Sequence, residues 1–284
     1  MLCSPPPRSG QSAHLPSHLT STGSLKYFRR SRKPAAAGKA TNCLSCPIQD
    51  QCIYSAPRIY YEKQLAKGKT SWPVNIVNPE IESCYNTDGP AAAKDMFFST
   101  FRQDHGPDMS EQEVAKRPWF GRCVWESDND VCDDQFVSIT WDDDNTTTPA
   151  RGAKTAMFHM IAQTEKQCER RGRIYGTRGE IEYDGTTIRV HDFASDTAKS
   201  HHPPRPGGGH GGGDDGLAQQ FLKAIGGVRS EGLTPEEAQV EYLGCTLEEI
   251  VRSHALVFAA EEARMERKVL DWPTWWKKHV HEDA

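Results

Sequence analysis

Hydrophobic and polar positions follow two periods along this chain, and the change of period divides it. Residues 23–30 alternate briefly, as a short strand does. Residues 121–126, 135–141, 155–164, 172–176, 180–183 and 186–193 then read as successive strands. In the clearest, Phe136, Ser138 and Thr140 oppose Val137, Ile139 and Trp141 with a period of two. In the next, Met157, His159 and Ile161 oppose Ala156, Phe158 and Met160. Short connections at residues 142–145 and 184–185 suit hairpins, so the sheet is expected to be largely antiparallel. Helical spacing takes over near the C-terminus. Asp214 or Asp215 is positioned to cap a helix through Leu217, Phe221, Leu222 and Ile225, closed by Gly226 and Gly227. Thr234-Pro235-Glu236-Glu237 and Thr246-Leu247-Glu248-Glu249 are capping boxes. The second opens a long helix with a stripe of Leu247, Ile250, Val251, His254, Val257, Phe258 and Glu261. Strands followed by helices predict an α+β fold, an open antiparallel sheet covered on one face by helices.

Composition reduces the size of the expected core. Leu, Ile, Val and Phe number 48 of 284 residues, few for a chain packed throughout. The reading is one core with much loop. Residues 1–24 are expected to be a disordered leader, and 25–90 a remnant strand, a linker and a cysteine-rich segment. Residues 91–118 read as a polar, loop-like insertion with a weak helix at 111–115, 119–271 as the α+β domain and 272–284 as a tail pinned by Trp272, Trp275 and Trp276. No apolar run approaches the roughly 18 residues of a membrane span, so no membrane partner is expected. The formal charge of −5 gives no bias towards nucleic acid. No Asp or Glu precedes Asp50, whereas seven Lys and Arg do. A cytoplasmic location is expected, with a mitochondrial one as the alternative that an acid-free start suggests.

The cysteines offer one constellation. Cys43-x2-Cys46-x5-Cys52 places three thiolates where a turn can grip one metal, zinc being the natural choice, with Cys84 or His105 as the fourth ligand. Small packed thiols in a loop are the alternative. Cys123, Cys132, Cys168 and Cys245 read as core thiols. Gly207, Gly209 and Gly212 satisfy G-x-G-x-x-G, but Pro203, Pro204 and Pro206 exclude a preceding central strand, and Asp214 and Asp215 occupy the helix N-terminus where a phosphate would sit. No cofactor is expected on this chain from that string.

Three stretches carry a resemblance. They are Phe120-Gly121-Arg122-Cys123-Val124-Trp125-Glu126-Ser127-Asp128-Asn129-Asp130, Ile174-Tyr175-Gly176-Thr177-Arg178-Gly179-Glu180-Ile181 and Gly209-His210-Gly211-Gly212-Gly213-Asp214. In this order and spacing the chain resembles, over roughly residues 23–271, the C-terminal domain of the Gfo/Idh/MocA (glucose–fructose oxidoreductase-like) family. The resemblance implies an open sheet that often dimerises, paired in the family with an N-terminal Rossmann domain that binds NAD or NADP. It also implies a sugar, polyol or cyclitol bound between the two. By this analogy the loop at 207–215 faces substrate, His210 reaches a hydroxyl, Asp214 caps the helix or bonds a hydroxyl, and Arg122, Tyr175 and Arg178 are further contacts.

The family's catalytic Lys of Glu-Lys-Pro and His of Asp-x-x-x-His have no counterpart here. Arg32-Lys33-Pro34 is a different motif, and none of the eleven histidines follows an Asp by four residues. The Rossmann half and both catalytic residues are therefore expected to be missing from this chain. The implied function is a substrate-binding and oligomerisation domain from a lineage of NAD(P)-dependent dehydrogenases, inactive alone and paired with itself through the sheet. A non-catalytic scaffold pairing through its sheet, or a piece of an NAD-dependent glycosidase-like member, are the alternatives.

Overall fold

The structure, a computed structural model, describes residues 13–127, 129–165, 170–205 and 207–281. The elements are, in order, β1 (His18–Ser24), α1 (Val74–Val77), α2 (Ile81–Thr87), α3 (Gly89–Arg102), α4 (Glu111–Ala115), β2 (Asp134–Trp141), β3 (Lys154–Ile161), β4 (Gly172–Tyr175), β5 (Gly179–Tyr183), β6 (Ile188–Asp192), β7 (Thr197–His201), α5 (Gly213–Gly226), α6 (Pro235–Ala238), α7 (Leu247–Glu266), β8 (Leu270–Asp271) and α8 (Trp272–Trp276). The class is α+β. Instead of one open sheet there are two antiparallel four-stranded sheets, ordered β3-β2-β1-β8 and β4-β5-β6-β7. The chain divides into two compact units, Gly23–Asp134 on one side and Met1–Thr22 with Gln135–Ala284 on the other.

The unit Gly23–Asp134 has a core of its own. Ala93, Phe97 and Phe101 recur at spacings of four along α3 and so share one helix face, where all three are fully buried. They pack with Leu65, Val74 and Ile81. The segment read as a polar insertion thus supplies the centre of a core. Its few large apolar residues all lie on one stripe, and their spacing outweighs their number. The helix expected at 111–115 is α4, capped by Ser110, whose hydroxyl accepts from the Glu113 N–H. Gly121 lies so close to the end of α3 that a Cβ there would meet the Phe101 carbonyl oxygen at 1.9 Å. The Asn42 side-chain amide donates to that same carbonyl at 2.8 Å.

Two expected strands are shifted or absent. The N-terminal strand runs over His18–Ser24, so part of the expected leader is sheet and residues 1–12 lie outside the described residues. The segment read as a strand at 23–30 is not strand beyond Ser24: the backbone N–H groups of Lys26, Tyr27 and Phe28 converge instead on the buried Asp133 carboxylate at 2.7, 2.7 and 3.1 Å. The segment 121–126 forms one antiparallel bridge, Arg122 with Asn42, followed by a tight helical turn at Val124–Glu126. Asp128 of the first resemblance stretch is outside the described residues.

In the second unit β2 is oriented as its alternation requires. Val137 and Ile139 pack on the core while Phe136 is exposed. That core joins Leu19 of β1, Leu270 of β8, Trp272 and Trp275 of α8, and Ala255, Ala259, Ala260 and Ala263 of α7. The expected apolar stripe of α7 points elsewhere: Leu247, Val257 and Phe258 are each about two-thirds exposed, at 66, 67 and 67%. The tryptophans already fill the space beneath the helix, so its close face has to be small, and an alanine ridge replaces the leucine-type stripe. On α5 the expected stripe of Leu217, Phe221 and Leu222 is likewise exposed, and Ala224 is the buried position. The start of α5 also differs from expectation. Its N-cap is Gly212 in the left-handed region, with no side-chain cap bond. The capping boxes of Thr234 and Thr246 both form as read.

Candidate functional site

The loop before α5 is built for close approach. After β7 the chain is proline-rich, and Gly207, Gly208, Gly211 and Gly212 all have positive φ. His210 shares this left-handed geometry at φ 49°, ψ 36°, which a residue bearing a Cβ enters at a cost. What accompanies that backbone is a side-chain pair. His210 Nδ1 lies 2.9 and 3.0 Å from the two carboxylate oxygens of Asp214. The residues are four apart across the helix start, so the carboxylate sits one turn on from the imidazole. Both side chains are well exposed, so the pair adds little to stability. Its consequence is orientation. With Nδ1–H donated to Asp214, Nε2 is the acceptor that can take a hydroxyl proton. Asp214 therefore holds His210 instead of capping α5.

Sequence reading missed one neighbour here. The guanidinium of Arg205 lies against Gly211, where an added Cβ would meet Nη2 at 3.1 Å. The φ of 69° at Gly211 favours glycine there, and the Pro-Pro-Arg-Pro surroundings of Arg205 gave no periodic signal for that cation. The loop does not fit a dinucleotide. Gly208 faces the Asp215 carboxylate, which would stand 3.1 Å from a Cβ there, and Asp214 is at the same helix start, so a pyrophosphate would meet two anions.

The other expected contacts are placed differently. Arg122, in the Gly23–Asp134 unit, is half-buried and pairs with Asp104 at 2.8 Å while donating to the His105 carbonyl at 2.9 Å. Asp104 also accepts from the Thr41 hydroxyl at 2.8 Å. A guanidinium so engaged braces its own unit. Tyr175 and Arg178 belong to the β4–β5 hairpin, where Tyr175 is opposite Glu180 and the turn closes by Gly176 N–H to the Gly179 carbonyl at 2.9 Å. Gly179 is required because a Cβ would meet the His191 carbonyl oxygen at 2.2 Å. The glycines of that motif thus have a packing reason. Tyr175 itself is exposed.

The cysteines form the second site. Cys43 and Cys123 are brought together by paired backbone bonds, Cys43 N–H to the Gly121 carbonyl at 2.7 Å and Cys123 N–H to the Thr41 carbonyl at 2.8 Å. These flank the Asn42–Arg122 bridge, so Cys43 and Cys123 point to the same face. Cys46 follows through a turn, its N–H donating to the Cys43 carbonyl at 3.2 Å. Burial pushes the Cys43 thiol up, against the lowering effect of the Ala56 N–H that donates to its sulfur at 3.5 Å; Cys123, Cys52 and Cys46 push it higher still. Burial also raises Cys123, offset by the Trp125 N–H on its sulfur and by the Lys33 ammonium.

The expected fourth ligands have other surroundings: Cys84 lies in α2 against the apolar core, and His105 meets Trp119 edge-on at 5.4 Å. Among the described residues, no group of three or more His, Cys, Asp or Glu side chains is set in metal-holding geometry. Cys132 and Cys245 are half-buried and not core, and Cys168 lies outside the described residues. Among the described residues no helix is long and apolar enough to cross a membrane. No family model matches the chain, and no curated protein or solved structure matches it significantly.

Proposed function

We propose that this chain is the substrate-binding and oligomerisation half of a Gfo/Idh/MocA-like oxidoreductase, of a lineage acting on sugars, polyols or cyclitols with NAD(P). It completes a hydride-transfer site only with a nucleotide-binding partner. The observation that carries the reading is the His210–Asp214 pair on its glycine-rich loop. A carboxylate-oriented imidazole recognises a hydroxyl, and flanking glycines let backbone N–H and C=O groups approach the same sugar ring. Arg205 adds a cation whose planar fork suits a vicinal diol or a sugar carboxylate. The chain's contribution is then to bind and orient the polyol, while the proton acceptor for the reacting hydroxyl comes from the partner.

The test reunites the halves. The chain is co-expressed with an intact homologous Rossmann domain, and NAD-dependent oxidation is assayed across a polyol panel. Activity is expected, and His210→Ala is expected to raise KM about fivefold, the loss of one hydrogen bond of roughly 1 kcal/mol, with kcat nearly unchanged. Activity indifferent to His210→Ala would return the loop to a flexible linker. A second reading, a non-catalytic scaffold pairing through its sheet, is favoured by the exposed Met157 and Phe158 of β3. Its signature is self-association with no activity in any reunited assay.

A further inference from the structure

We propose that Cys43, Cys46, Cys52 and Cys123 form a four-thiolate zinc site that clamps the Gly23–Asp134 unit together, with Cys123 in the place that spacing alone offered to Cys84. The sequence supplies three of these thiols within ten residues, and the fold supplies the fourth from some seventy residues on, through the backbone pairing of residues 41–43 with 121–123. That pairing sets Cys43 and Cys123 on one face, and the turn after Cys43 returns Cys46 to it.

Two features point to a ligand and not to packing alone. Cys43 Sγ accepts the Ala56 N–H at 3.5 Å. Backbone N–H groups aimed at sulfur stabilise the thiolate, which is the metal-binding form, and they orient its lone pairs. Neutral core thiols have no need of them. The second feature is the cover. Tyr27, Phe28, Tyr54 and Trp125 form a ring cluster, with centroids 5.1 Å apart for Phe28–Tyr54 and 5.4 Å for Tyr54–Trp125. Tyr54 and Trp125 lie two residues from Cys52 and Cys123 in the chain, which sets the ring cluster beside these two thiols.

Binding requires the four side chains to swing onto one centre, at Zn–S distances of about 2.3 Å. Zn2+ replaces the four thiol protons, giving a tetrathiolate of net charge −2 and four released protons. Lys33, whose ammonium acts on Cys123 and bonds Glu126 at 2.7 Å, offsets part of that charge.

The experiment is metal analysis of the purified full chain by mass spectrometry, followed by chelation and titration with zinc or cobalt alone. About one zinc per chain is expected, and the cobalt form should show the intense visible bands of a tetrahedral thiolate site. Cys123→Ser should weaken zinc binding by at least about tenfold, and Cys84→Ser should leave it unchanged. Because Cys123→Ser could fail to fold, the wild-type chain is also followed by thermal melting. Chelation should lower its melting temperature, and zinc should restore it. A metal-free protein that takes up neither ion, or zinc lost on Cys84→Ser and kept on Cys123→Ser, would overturn the proposal. Visible absorption with acid-labile sulfide in the purified protein would overturn it as well, in favour of an iron–sulfur cluster.

Discussion

Asp133 ties the two ends of the Gly23–Asp134 unit together. Its buried carboxylate takes three consecutive backbone N–H groups, from Lys26, Tyr27 and Phe28. Burial acts to raise its carboxyl, but these donors outweigh it and hold the group below the ordinary carboxylate range. Asp133→Ala leaves three donors unmet and is expected to cost about 2–3 kcal/mol in urea unfolding. A depressed folded value stabilises above the unfolded pKa of about 3.9, and that contribution disappears as pH falls through the folded value. The wild-type chain and Asp133→Asn should therefore differ most at neutral pH and converge in acid, and parallel curves down to pH 2 would refute the assignment. His210 offers the contrast. Its exposed pair with Asp214 gives little stability, so His210→Ala should leave the melting temperature unchanged while changing ligand affinity.

At the scale of elements, α7 carries the lesson. The sequence stripe nominates Phe258 as core, but the helix buries Ala259, which is 0% exposed, and leaves Phe258 67% exposed. Ala259→Leu should therefore destabilise by about 1–3 kcal/mol through overpacking. Phe258→Ser should stay within about 0.5 kcal/mol of wild type. Thermal or urea unfolding of the two variants decides between the stripes, and the opposite order would mean that the helix is rotated. The ends of α7 were legible where its face was not. Thr246 and Glu249 exchange side-chain to backbone bonds at 3.2 and 2.8 Å, a local arrangement that depends on four adjacent residues. The strand β7 was missed for the complementary reason. Thr197–His201 is exposed along its length and has no alternation to read. It exists because the Asp192 carboxylate accepts the Ser195 N–H at 2.9 Å, turning the chain so that Asp192 faces Thr197.

For the whole molecule, apolar side chains remain on the outside of several elements. Met157 and Phe158 on β3, Phe221 and Leu222 on α5, and Val257 and Phe258 on α7 are each more than half exposed. Beside α7 a groove of about 620 Å3 is lined by Ile250, Val251, His254, Phe258 and Trp275. So much uncovered apolar surface favours association. A dimer is expected by light scattering, with β3 in the pairing surface. Met157→Asp with Phe158→Asp should shift the chain to monomer, whereas a monomer that persists at high concentration in the wild type would remove the case for sheet pairing.

The sequence by itself determined what rests on neighbouring residues. It specified the α+β class, β2 and its alternation, both capping boxes, and the glycine-rich approach to α5 with His210 at its centre, whereas the order of strands before helices did not hold, because α1–α4 precede β2. These are set by alternation, by side chains bonding backbone within a turn, and by glycine's freedom at positive φ. Tertiary structure decided everything that depends on what lies across the space between elements. It selected the alanine ridge of α7 because Trp272 and Trp275 occupy the volume beneath. It turned the 91–118 segment into a core helix because Leu65, Val74 and Ile81 present Phe97 and Phe101 with an apolar surface. It split the strands into two sheets by pairing β1 with β8, at Leu19 opposite Leu270, across some 250 residues. It also brought Cys123 to Cys43 through a single bridge between Asn42 and Arg122. Spacing along the chain carries no information about such long-range meetings.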